Sequence, residues 1–325
     1  MLKRRFYTAI SGLDMKIDRL QVGNVTFVRS HSQIPEDTLA QKAFSKLMAT
    51  TPDDLNLFEC MLKDKFTKCA IAVIDVEADD EKTAEEVSED EIEKALNVLR
   101  FYLAGLSEND PFFYKMFIGI EGITNTGLTA TVIIDDDNQK FFFSSSRKGA
   151  HRGYELDSTK YQKMLDFHFE RVSAILATPE DSRSQMENSI LTSIIFFGSG
   201  MNERLLRNTF VSFVIALESC LLRRCEKDKS GNIANGMCAM LQIKPEYRRA
   251  IHEKVESYYD IRSDIVHEGV DNVVEGMVFE ICYLTFNTIM RLVAHSKEIK
   301  DKDELRKKIR EELKEINRKT KAQCT

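Results

Sequence analysis

The stretch LLRNTFVSFVIALESCLL, residues 205–222, is apolar nearly all round a helix. A helix at a protein surface keeps one polar face, whereas a helix without such a face has to be buried among other elements. We therefore expect residues 205–222 to form the central helix of a helical bundle. Glu218 is the exception, because a carboxylate in an apolar setting needs a partner or a neutral state. It is either a structural hydrogen-bond acceptor or part of a site.

Helical patterns continue on both sides of this stretch, from Thr159 onward. Apolar residues recur at helical spacing, and strand signals vanish. The predicted helices are residues 159–177, 181–197, 203–226, 232–243, 245–267 and 273–297, with a charged helix running to about residue 319. Residues 156–325 are therefore predicted to form an all-α domain.

The first half of the chain has a different pattern. Short runs rich in β-branched or aromatic residues predict strands, and two longer periodic segments predict helices. The expected strands are 24–29, 69–78, 115–122, 128–135 and 139–146, and the expected helices are 35–49 and 88–104. The last two strands flank a polar turn and should form a hairpin. The segment 144–158 has a linker composition, so we predict an α+β protein with a mixed α/β domain over residues 1–155.

The net charge of −6 disfavours a general nucleic-acid coat protein, since nonspecific affinity for phosphate needs clustered Lys and Arg. The charge is uneven. Residues 1–155 carry 19 basic and 26 acidic side chains, and residues 156–325 carry 27 basic and 26 acidic ones. A polyanionic partner is therefore better sought in the second half.

The cysteines and the apolar runs bear on the compartment. Seven cysteines, an odd number without a C-x-x-C pair, are typical of reduced thiols. The basic N-terminus MLKRRFYTAISGLD is interrupted by Asp14 before the core of a signal peptide is complete. No stretch approaches the roughly 18 uncharged apolar residues of a membrane span. We expect a cytoplasmic protein without a membrane partner.

Several well-known catalytic patterns are missing from the sequence. It contains no G-x-x-x-x-G-K-[ST], G-x-G-x-x-G, H-E-x-x-H or G-x-S-x-G. The acidic residues 135–137 are interpreted as part of a hairpin turn rather than a metal site. The acidic run 75–94 is interpreted as a solvated loop that leads into a helix. His168 is expected to be a hydrogen-bonded core histidine. No metal or cofactor is predicted.

The strongest candidate site is YYDIRSDIVHEG, residues 258–269. Arg262 and His267 fall at the end of a predicted helix, where Gly269 supplies a stop and the helix dipole favours positive charge. Ser263 and Asp264 lie one turn before His267, so the histidine has possible orienting partners. Alternatively, Arg262 and His267 only brace the bundle by pairing with Glu218 or Asp264.

Here the chain resembles a known family. A long apolar helix ending ALESCLL, a polar loop, the short helix IANGMCAML and then YYDIRSDIVHEG are similar to the HEPN superfamily, in particular its Apea-like branch. The resemblance covers about residues 160–297. It implies an all-α HEPN-like bundle, whose Arg and His form a metal-independent RNA-cleaving site at a dimer interface.

The resemblance assigns roles to particular residues. It makes Arg262 and His267 catalytic, with Glu218, Tyr259, Ser263 and Asp264 as supporting residues. The position after the arginine is often Asn, Asp or His in catalytic members, and here it is Ser263. A noncatalytic module that binds RNA, nucleotide or a protein partner is therefore the alternative.

The resemblance also implies partners. We expect an RNA substrate, a homodimer and, since such proteins commonly act as toxins or antiviral effectors, an antitoxin or defence partner. Five residues on an α-helix separate Arg262 and His267 by about 140°, so that one helix aims them poorly at a common point. Two symmetry-related helix ends would bring two arginines and two histidines into one cleft.

Overall fold

The structure is a computed structural model. It describes residues 2–34, 39–49, 63, 66–67, 69–106, 117–120, 128–135, 140–147, 154–269 and 272–323. Contacts within the chain define two compact units, residues 1–96 with 109–163, and residues 97–108 with 164–325. The first unit holds the strands and the second is helical, so the protein is α+β. This division lies near residue 163, whereas the sequence suggested residue 155.

The strands form a five-stranded sheet and two smaller pairings. They are β1 Leu2–Ser11, β2 Leu13–Met15, β3 Arg19–Val22, β4 Val25–Val28, β5 Ala70–Ala78, β6 Gly119–Ile120, β7 Leu128–Asp135, β8 Lys140–Arg147 and β9 Tyr154–Leu156. The main sheet has the order β3-β4-β5-β1-β6, with antiparallel neighbours. β2 pairs with β9 in parallel. β7 and β8 pair antiparallel, as predicted for a hairpin, and their turn lies outside the described residues.

Strand β1, which lies between β5 and β6, was not expected from the sequence. Its first residues are basic, and the register sets them opposite the acidic end of β5, with Lys3 beside Glu77 and Arg5 beside Asp75. The Arg5 guanidinium binds both carboxylate oxygens of Asp75 at 2.6 and 2.7 Å. Hydrogen bonds from Arg5 lower the pKa of Asp75. The acidic run from residue 75 is therefore strand and helix, and its interpretation as a solvated loop was wrong.

The α-helices account for most of the second unit. They are α1 Leu39–Ala49, α2 Glu81–Leu106, α3 Ser158–Asp166, α4 Phe169–Ala177, α5 Gln185–Asn202, α6 Leu206–Leu221, α7 Lys229–Met240, α8 Pro245–Ser263, α9 Glu275–His295 and α10 Lys302–Gln323. Short 3-10 turns occupy His31–Gln33 and Glu180–Ser182. A π-helical turn, Asp264–Glu268, continues α8.

Helix α6 is the central helix of the second unit, as its all-round apolar pattern predicted. It packs against α5, α7, α8 and α9. Phe210 and Phe213 are fully buried, and the ring of Phe213 lies 4.7 Å from that of Phe197 on α5. The Ser193 hydroxyl donates to the Ala216 carbonyl at 2.5 Å and so ties the two helices together. A rigid core therefore supports the C-terminal end of α6.

Two interpretations of the middle of the chain were wrong. The helix predicted over 159–177 is broken between α3 and α4 at His168, which is exposed and has a left-handed φ of 61°. It is therefore not a core histidine. The predicted linker 144–158 holds the end of β8, all of β9 and the first residue of α3. Its residues 148–153 lie outside the described part of the chain.

Helix α9 is long and apolar enough to cross a membrane by length and composition. Half of its most apolar 18-residue window is buried inside the fold. Core helices of soluble proteins have the same character, so that this helix is weak evidence about location.

Candidate functional site

The candidate site lies where α8 ends. Pro245 opens the helix at a position that needs no backbone N–H donor, and Val255 and Tyr258 are its buried residues. The last α-helical residue is Ser263, and the chain continues into the π-helical turn. Gly269 closes that turn with φ 69°. Glycine adopts this left-handed conformation without the steric cost of a Cβ, which agrees with the predicted stop.

The π-helical turn changes the relation between Arg262 and His267. The Gly269 N–H donates to the Asp264 carbonyl, five residues earlier, instead of four as in an α-helix. Hydrogen-bonded partners in a helix lie about one turn apart. His267 lies within this wider turn, whereas Arg262 precedes it on the last turn of α8. Single π turns within helices are frequent at functional sites.

The end of α8 is anchored on both sides. The Tyr258 ring packs edge-on against Phe210 of α6, with centroids 5.7 Å apart. The Tyr258 hydroxyl donates to Glu280 Oε2 on α9 at 2.8 Å, and Lys254 forms an ion pair with the same carboxylate. These contacts hold the turn before Arg262 against two neighbouring helices.

Glu218 and Tyr259, two predicted supporting residues, are in direct contact. The Tyr259 hydroxyl donates to Glu218 Oε1 at 2.6 Å. Burial raises the pKa of Tyr259, the bond to Glu218 adds to this rise, and the positive charge of Arg262 opposes it. Glu218 is half-buried rather than enclosed. Its partner is thus a tyrosine hydroxyl beside Arg262.

Arg262 is held in place without a bracing partner. Its side chain is half-buried, and among the described residues its Nε atom is buried with no hydrogen-bond partner. Within the same residues, neither Arg262 nor His267 forms an ion pair with Glu218 or Asp264. The structure therefore does not contain the bracing pairs considered from the sequence. An unpaired buried donor costs about 1–3 kcal/mol, which the fold tolerates here.

His267 and its sequence neighbours lie nearer to solvent. His267 and Ser263 are exposed, and Asp264 is half-buried. The Asp264 backbone takes part in the helix end, since its carbonyl accepts from Gly269. The structure thus brings Arg262, Tyr259 and Glu218 together and leaves the imidazole of His267 open to a partner.

A set of exposed apolar side chains, which we call the apolar face, lies on the π turn that holds His267 and at the start of α9, and it was not identified from the sequence. It consists of Val266 on the π turn and Val274, Phe279 and Tyr283 at the start of α9, 46–60% exposed. Phe279 and Tyr283 lie one turn apart on either side of Glu280, which binds α8. The apolar character of α9 all round concealed this face in the sequence.

No group of three or more His, Cys, Asp or Glu able to hold a metal ion occurs in the described part of the chain. Residues 136 and 137, part of the acidic triplet at 135–137, lie outside that part. The end of α8 therefore offers a guanidinium, an imidazole, a phenol and a carboxylate. Such groups bind and neutralise phosphate and transfer protons.

Comparisons with known protein-family models, curated proteins and solved structures found no match. The likeness to the HEPN superfamily therefore rests on the sequence motifs alone.

Proposed function

We propose that this protein is a cytoplasmic, metal-independent endoribonuclease of the HEPN type, in which Arg262 and His267 cleave RNA. The observation that carries the proposal is the end of α8. There, Arg262 is half-buried and its Nε has no partner among the described residues, and His267 is exposed on the π-helical turn that follows. The resemblance of YYDIRSDIVHEG and ALESCLL to HEPN sequences supports the same residues.

The chemistry follows from the groups present. A histidine removes the proton of the RNA 2′-hydroxyl, whose oxygen attacks the adjacent phosphorus. The bond from phosphorus to the 5′-oxygen breaks, and a second histidine protonates the leaving oxygen. The products are a 2′,3′-cyclic phosphate and a 5′-hydroxyl. The Arg262 guanidinium holds two phosphate oxygens and stabilises the charge that develops on them.

A second copy of the chain supplies the second histidine. One protomer offers one His267 at the end of α8, and cleavage needs both a base and an acid. The apolar face, whose Val266 directly precedes His267 in the chain, supports a two-fold dimer, because exposed apolar patches rimmed by polar groups mark interaction sites. Pairing this face across a two-fold axis would bring two copies of Arg262 and His267 together.

Ser263 favours a second candidate function, a noncatalytic HEPN module that binds RNA, nucleotide or a protein. In catalytic members Asn, Asp or His often follows the arginine, and here an exposed serine does.

By analogy with the family, the nuclease would act as a toxin or antiviral effector, with an antitoxin or a defence protein as partner. The first unit would then sense a trigger, select the RNA or restrain the nuclease.

A single incubation separates the two candidates. Purified protein is mixed with single-stranded RNA in excess EDTA, and the products are resolved on a denaturing gel. The ribonuclease proposal predicts discrete cleavage products without metal. Tight binding without products would instead support the binding module.

A further inference from the structure

An open cleft of about 670 Å³ lies beside the candidate site. It is formed by the first turns of α5, α7 and α10, the last turn of α6 and the segment 222–225 that follows α6, all within the second unit. Glu218 lines one side of the cleft, and its carboxylate also accepts the hydrogen bond from Tyr259. Tyr259 and Arg262 are three residues apart on α8 and share a face. The cleft is therefore separated from Arg262 by two side chains in contact.

The acidic groups of the cleft already have partners. Asp303 pairs with Arg223 at 2.5 Å. Asp301 Oδ1 accepts the backbone N–H groups of Asp303 and Glu304 at 2.8 and 2.9 Å. With Glu218 bound to Tyr259, each carboxylate that lines the cleft is engaged. Their negative charges are therefore partly compensated.

Two of the four cations that line the cleft differ in this respect. Arg224 and Lys229 line it and are exposed, and among the described residues neither has a hydrogen bond or an ion pair. Lys302 forms the floor, only 7% exposed, and its Nζ donates to the Ser219 and Cys220 carbonyls at 2.8 and 2.5 Å. Two unengaged cations thus stand at the opening above a buried one.

A second groove indicates the direction of a bound chain. It shares Gln185, Ser189 and Ser219 with the first cleft, but its two carboxylates, Glu180 and Asp181, outnumber its one cation, Arg183. An acidic groove repels phosphate, whereas Arg and Lys attract it. A polyanion that leaves the Arg262 site is therefore favoured on the side of Arg224 and Lys229.

We infer that Arg224 and Lys229 hold the phosphates of single-stranded RNA next to the scissile one, so that this cleft is a substrate-binding subsite. The inference rests on the proposed function, because that proposal places the scissile phosphate at Arg262. Lys and Arg contacts to phosphate position a strand without reading its sequence. The subsite therefore contributes affinity for any sequence and aligns the chain with Arg262.

The test measures binding separately from cleavage. The probe is a fluorescein-labelled 12-nucleotide RNA with 2′-O-methyl groups, which cannot undergo 2′-hydroxyl attack, and its Kd is measured by anisotropy over a range of salt concentrations. The test variant is Arg224→Ala with Lys229→Ala. The matched control is Arg310→Ala with Lys314→Ala, two exposed cations further along α10 that also have no hydrogen bond or ion pair within the described part of the chain.

The test variant should weaken binding about tenfold or more, and the slope of log K against log salt should fall by about 1.4, or about 0.7 for each lost phosphate contact. The control should keep the wild-type Kd and slope. Equal melting temperatures would show that both variants are folded.

Each outcome decides one of the two claims. If the test variant binds the probe as tightly as the control, the subsite is wrong, even where the wild-type protein cleaves unmodified RNA. If the test variant loses affinity but the wild-type protein cleaves no RNA, the subsite stands and the ribonuclease proposal fails. If the wild-type protein does not bind the probe, the subsite is also wrong.

Discussion

At the residue scale, the bond between Tyr259 and Glu218 connects the central helix to the end of α8. The two residues are 41 positions apart in the chain and meet at 2.6 Å. Arg262, three residues after Tyr259, has a buried Nε without a partner among the described residues. Within the described part of the chain, packing and neighbouring side chains therefore hold this nitrogen, rather than a hydrogen bond.

Removing the Tyr259 hydroxyl tests this connection. Tyr259→Phe leaves the half-buried Glu218 carboxylate without its donor, so we expect a loss of about 1–2 kcal/mol in the free energy of unfolding. The matched control is Tyr247→Phe, because Tyr247 is 62% exposed and its hydroxyl has no hydrogen-bond partner among the described residues. Urea denaturation measures the free energy of unfolding of both variants. Equal stability of the two variants would show that the bond contributes nothing.

Lys302 gives a prediction about pH. Burial lowers its pKa to about 8, below the ordinary 10.5. Between these values the unfolded chain binds a proton that the folded chain lacks, so stability rises with pH through this window. The pKa shift of Lys302 corresponds to a change of about 3 kcal/mol in the free energy of unfolding. The free energy of unfolding of the wild-type protein, relative to Lys302→Met, should therefore rise by about this amount from pH 8 to 10.5. Parallel pH curves would contradict it.

At the element scale, two helical glycines differ in their surroundings. A Cβ on Gly198 of α5 would lie 2.2 Å from the Asn97 carbonyl oxygen of α2, whereas a Cβ on Gly276 of α9 would have no neighbour within 4 Å. Backbone cannot move aside as a flexible side chain can. The close approach of α2 and α5 in the second unit therefore requires glycine at residue 198.

Alanine at each glycine should have opposite effects. Gly198→Ala should lower the free energy of unfolding by about 1–3 kcal/mol through overpacking. Gly276→Ala should raise it by up to about 1 kcal/mol, since alanine favours helix. Thermal unfolding of both variants provides the measurement. A neutral Gly198→Ala would mean that the two helices are further apart than described.

Helices were predictable from the sequence because their apolar spacing is a local signal. The central position of α6 and the stop at Gly269 were both predicted and confirmed. Strand β1 was missed, because its basic residues interrupt the apolar alternation and acquire meaning only opposite β5. The residues of a strand do not by themselves indicate which distant strand it pairs with.

The candidate site was predictable in part, because part of it is a local sequence motif. Arg262 and His267 stood out through a local motif. The contact of Tyr259 with Glu218, the π-helical turn and the buried Lys302 depend on how helices pack, so no local pattern indicated them.

At the scale of the whole molecule, the proposed site requires two chains. Light scattering should report about twice the 37.3 kDa mass of the chain. Tyr283→Glu places a charge in the apolar face and should shift the protein toward monomer and reduce RNA cleavage in parallel, since a buried unpaired charge is costly. If this variant is still a dimer, the apolar face is not part of the dimer interface.

The matched control for this substitution is Tyr247→Glu. Tyr247 is 62% exposed, close to the 60% of Tyr283, and lies at the opposite end of α8 from the site. It should leave the mass and the cleavage unchanged. Monomers from both variants would point to a general effect of added charge.

The most direct test of the ribonuclease is RNA cleavage in excess EDTA by the wild-type protein, Arg262→Ala, Arg262→Lys and His267→Ala, with His252→Ala on the same helix as control. Loss of the histidine should lower the rate by about 10²–10⁴, and lysine should not replace arginine because it lacks the two-pronged grip on phosphate. We predict folded, dimeric and inactive site variants, an active control, and wild-type products ending in 2′,3′-cyclic phosphate. Site variants that cleave at the wild-type rate per folded molecule would contradict the account.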